Sequence, residues 1–118
     1  DAMWAKYGKS LAGRIGFSDP KSHQPPTANV FMASGYGDGL TNGGRTVEAA
    51  LKNGAHLAVC QLSTRANAGV IARDTGGKAE DIYNELVANL LPNSHIVPAG
   101  IVAVNRAQEH GYTFIATT

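Results

Sequence analysis

The feature that most constrains this chain is an alternation in its second half. A compact apolar run at His56 to Gln61 gives way to a helical stretch from Ser63 to Asp74. A second, amphipathic stretch follows from Lys78 to Leu91, with Ile82, Leu86, Val87 and Leu90 on one side. Another short apolar run covers Ser94 to Val97, and a third helical stretch runs from Ala99 to His110. Gly76-Gly77, Pro92 and Gly111 punctuate these segments where helices stop. Parallel strands need long crossovers, usually helical, so strand-length runs alternating with helices predict a mostly parallel sheet covered by helices. Tyr112 to Ala116, rich in aromatic and β-branched residues, predicts a closing strand.

The first half is less regular. Met3, Trp4, Tyr7 and Leu11 recur at helical spacing and predict a core-facing helix over Asp1 to Gly16. Asp19-Pro20 and Pro25-Pro26 bracket an irregular stretch, and Asn29 to Ala33 reads as a short strand or extended segment. A glycine-rich loop follows and ends at Thr46, an N-cap for a short helix over Val47 to Lys52 that Gly54 stops. A parallel α/β domain usually opens on a strand, whereas this sequence opens on a helix. The expectation is one domain, 1–118, with a further N-terminal strand ahead of Asp1 in the full gene product.

Composition narrows the partners. The 118 residues suit one domain with its own core. Ten basic residues against nine acidic ones provide no basic field for nucleic acid or an anionic membrane. No apolar run approaches the length of a membrane span. A single cysteine, Cys60, excludes an internal disulfide.

Three linked segments carry a family resemblance. Gly54-Ala55-His56-Leu57-Ala58-Val59-Cys60 resembles the strand G-V-x-F-A-V-C of DsrE/DsrF-like proteins. Leu90-Leu91-Pro92 with Ile96-Val97-Pro98-Ala99-Gly100-Ile101 is similar to their L-L-P-x-x-x-V-V-P-S-G-V segment, and Arg106 to Tyr112 is similar to their R-x-Q-E-x-G-Y ending. The N-terminal Asp1-Ala2-Met3-Trp4-Ala5-Lys6-Tyr7 looks like a longer subgroup whose members often carry a twin-arginine export signal. The resemblance implies a three-layer α/β/α fold, a homo-oligomer (trimer or hexamer) and an exported, periplasmic protein, with a cytoplasmic one as the alternative. Some relatives pass persulfide sulfur between cysteines, but they place the active cysteine in a different local motif, which this sequence lacks.

Among residues with chemistry, Cys60 stands first. At the C-terminal end of a strand it lies where ligands bind in open parallel sheets. A helix starting near Ser63 directs N–H groups and partial positive charge there, favouring the reactive thiolate, and Arg65 adds charge. The plain alternative is a buried core cysteine. Pro98-Ala99-Gly100 pairs a strand end with small residues opening a helix, and so offers either a ligand subsite or tight packing. Gly39 to Thr46 has phosphate-loop spacing but holds Arg45 where lysine is required, and otherwise reads as a surface loop. His23, His56, His95 and His110 are scattered; no pair shows metal-ligand spacing with a carboxylate or cysteine, although His56 and His95 become neighbours if their strands pair, and Cys60 then comes within range of joining one of them. No cofactor or resident metal is expected. Three functions compete: an oligomer binding a small ligand or protein partner, a persulfide carrier using Cys60 with a donor or acceptor protein, and an accessory subunit of an exported redox assembly.

Overall fold

The computed structural model describes residues 1–32 and 45–116. Its elements run α1 (Ala2–Ile15), α2 (Val47–Lys52), β1 (Leu57–Cys60), α3 (Gln61–Thr75), α4 (Ala79–Ala88), β2 (Ser94–Val97) and α5 (Gly100–Glu109). The result is a mixed α/β chain with a two-stranded parallel sheet.

Two of the helices end on left-handed glycines. Gly16 (φ 64°) caps α1 by donating its N–H to Ala12 O, and Gly76 (φ 74°) caps α3 by donating to Ala72 O. Thr46 opens α2 by accepting the Ala49 N–H on its hydroxyl at 3.1 Å. The core sits among α1, α3 and α4: Tyr7, Ala68, Ile71, Ile82 and Tyr83 are buried together, with Met3, Leu11, Leu86 and Val87 packed around them. Glu85 ties α4 to α1, accepting from Lys6 Nζ at 2.7 and 2.8 Å and from the Tyr7 hydroxyl at 2.6 Å.

The sheet is set by α3 and α4, which together form the crossover between its strands. Leu57 pairs with Ser94, Ala58 with His95, Val59 with Ile96 and Cys60 with Val97, so both strands finish at one level. Leu57, Val59, Ser94 and Ile96 are half-buried, whereas His56, Ala58 and His95 are exposed. Helix α5 returns from β2 to pack against β1.

Among the described residues, neither the segment read as a strand or extended stretch near Asn29 nor the expected closing strand forms a strand. Residues 29–32 form a turn, closed by Met32 N–H donating to Asn29 O. Residues 112–116 carry no strand: Tyr112, Phe114 and Ile115 are exposed. Their β-forming composition is real, but a strand exists only through a neighbour's backbone groups. The glycine-rich segment up to Gly44 lies outside the described residues.

Candidate functional site

Cys60 is the last residue of β1 and also the N-cap of α3, so strand and helix meet with no loop between them. The chain turns at this residue (φ −70°, ψ 116°), and the Thr64 hydroxyl fixes the turn by donating to Cys60 O at 2.9 Å. A side-chain network pins the first turn of α3 to α4. Gln61 Nε2 donates to the Tyr83 hydroxyl at 3.2 Å. The Arg65 guanidinium lies 4.0 Å from the centre of the Tyr83 ring and pairs with Glu80 at 2.7 Å.

The thiol itself is half-buried, neither sealed inside nor fully exposed. Two helix N-termini converge beside it. On α3, residues Gln61 to Ser63 occupy the first turn, whose N–H groups have no partner within the helix. On α5, Gly100 is the first helical residue, and a methyl group added to it would sit 3.7 Å from Cys60 Cβ. The Ser63 hydroxyl, then the Ser63 and Gly100 amides, and last the Leu62 amide draw the thiol down from 9.0 to about 7, against the opposing pull of burial. At sulfur's longer reach these act as charge–dipole contacts, since the Cys60 side chain closes no strict cap hydrogen bond. A thiol lowered in this way holds more thiolate at neutral pH than an ordinary cysteine does.

The structure therefore gathers Cys60, Ser63 and Gly100 at one point. Ala99, the N-cap of α5, and Pro98, exposed at the end of β2, form the adjoining connection. Arg65 is held by Glu80 and Tyr83, so its charge is shared with a carboxylate and does not act on the sulfur alone. Gln61, Thr64 and Tyr83 position the cysteine, and sequence reasoning missed all three. Only the threonine had a readable signal, a hydroxyl four residues beyond a helix N-cap.

His56 and His95 do become neighbours, with Nδ1 of His56 3.2 Å from Nε2 of His95. Cys60 stands four residues along the strand from His56, about 13 Å away, and two residues from Ala58, the partner of His95; among the described residues no group of three such side chains is arranged to hold a metal. A separate cavity of about 410 Å³ opens between α1, α3 and α4, lined by Met3, Trp4, Leu11, Thr64, Asn67 and Leu86 among others.

Comparison of the chain with protein-family models, with curated proteins and with solved structures finds no match.

Proposed function

We propose that this chain is a DsrE/DsrF-like domain in which Cys60 serves as a nucleophilic thiolate that carries persulfide sulfur. The observation that supports this reading is the half-buried sulfur at a loopless strand-to-helix junction, facing the N-terminal turns of α3 and α5. Thiolate is the attacking species in sulfur transfer, and an attacking thiol works best with a pKa near ambient pH. In the proposed step the Cys60 thiolate attacks the outer sulfur of a donor persulfide, R–S–SH. A new S–S bond forms on Cys60 as the donor's S–S bond breaks, the donor departs as its thiolate R–S⁻, and the proton stays on the transferred sulfur. No net oxidant or reductant is consumed, and transfer to an acceptor thiolate is the same reaction reversed.

The test is intact mass spectrometry. Protein reduced and then incubated with a sulfane-sulfur donor should gain the mass of one sulfur atom, and Cys60→Ser should gain none. A wild-type chain that stays unmodified after loading, with its thiol free, would overturn the reading.

The cavity beside Trp4 favours a second reading, a domain that binds a small, partly apolar ligand between α1, α3 and α4. Its volume falls in the range of small-molecule pockets, and its wall mixes apolar side chains with Thr64 and Asn67. Both readings carry the same larger picture: a three-layer α/β/α body, a trimer or hexamer, and export to the periplasm. Among the described residues no helix is long and apolar enough to cross a membrane. Cell fractionation of cells expressing the protein tests the compartment.

A further inference from the structure

We infer that the exposed face of the sheet carries a two-histidine chelate for a divalent transition ion of the zinc, copper and nickel class. The sequence separates the two ligands widely, and only the parallel register brings them together. His95 pairs with Ala58, and His56 lies two residues before Ala58, on the same face of the strand. Both imidazoles are exposed, with ring centroids 5.4 Å apart and planes inclined by 28°.

The nitrogen separation is the telling quantity. His56 Nδ1 and His95 Nε2 lie 3.2 Å apart, so one ring donates to the other and a single proton sits between two bases. An ion replacing that proton at an ordinary zinc–imidazole distance of about 2.0–2.1 Å would see the two nitrogens at roughly 100°, near a tetrahedral angle. Because neither ring is packed into the core, rotation about Cβ–Cγ turns both lone pairs onto one ion. Imidazole selects zinc, copper and nickel over the oxygen-seeking magnesium and calcium. Among the described residues no group of three or more His, Cys, Asp and Glu is arranged to hold a metal. The chelate is therefore open, with its other positions left to water or an incoming ligand, and it binds more weakly than a closed four-ligand site. It needs no ligand from Cys60, so its failure would leave the sulfur proposal standing.

Calorimetric titration of Zn²⁺ into the metal-free chain carrying Cys60→Ser tests this, since that substitution removes the competing thiol. Saturable binding of one ion per chain is expected, weakened at least tenfold by His56→Ala and by His95→Ala alike, and untouched by His23→Ala or His110→Ala. With Cu²⁺, electron paramagnetic resonance should show hyperfine coupling to two imidazole nitrogens. His56→Gln and His95→Gln, checked by circular dichroism, repeat the test with side chains closer in size. Absence of saturable binding, undiminished affinity in a folded variant of either histidine, or loss of the site on Cys60→Ser alone would each overturn the assignment.

Discussion

Ser63 contributes to the Cys60 environment twice, through its hydroxyl and through its amide, and the hydroxyl is the larger influence on the thiol. Ser63→Ala removes that influence and leaves the backbone in place. The thiol should then titrate above about 7, part of the way back toward 9.0, as followed by the ultraviolet absorbance of the thiolate. The sign of the linked stability follows from the direction of the shift. A thiol whose folded value lies below its unfolded value adds stability that is complete above the unfolded value and is lost as pH falls through about 7. Ser63→Ala should therefore narrow the gap between the variant's alkaline and neutral stabilities in denaturant titrations.

Helix α1 depends on a glycine that no periodicity argument singles out. Gly8 is buried against the chain at Pro26, and a methyl group there would run into the Pro26 carbonyl oxygen, which is backbone and cannot swing aside. Gly8→Ala should lose about 3 kcal/mol in urea unfolding, in the range of overpacked sites. Gly13→Ala, on the same helix with open space around it, should gain up to about 1 kcal/mol from helix propensity. The contrast shows what a sequence can and cannot disclose. Periodicity and breakers located every helix among the described residues to within a few positions, and Ser94–Val97 coincides with its predicted strand. Cys60 at a strand end was legible because apolar runs and N-terminal turns are local. The Pro26–Gly8 contact, the Gln61–Tyr83 hydrogen bond and the capture of Arg65 by Glu80 join residues distant in sequence, and no local pattern encodes them. The missing strand at Tyr112 to Ala116 failed for a related reason: local propensity supplies a willing strand but not its partner.

At the scale of the whole molecule, apolar surface is unevenly shared. Ile71 and its neighbours are sealed among α1, α3 and α4, whereas α5 buries no residue completely. Ile101, Val102, Tyr112, Phe114 and Ile115 remain 52–85% exposed. Exposed large apolar side chains mark interaction surfaces when they lie together. The proposed homo-oligomer makes use of that surface. Light scattering should give a mass that is a whole multiple of the protomer, and Ile101→Lys combined with Ile115→Lys should return it to the protomer mass. A wild-type chain that runs as a monomer at micromolar concentration would contradict the proposal.

The union of β1 and α3 at a single residue has a mechanical consequence. A reactive group on a loop adapts to its visitor by bending the loop, but here there is no slack on either side of the sulfur. Anything that displaces it must pull on a β-ladder at one end and on a helical turn at the other. If Cys60 carries sulfur as proposed, an incoming group has to conform to the protein, which favours visitors that bring their own flexibility, such as the cysteine of a mobile tail, over rigid ones of the same chemistry.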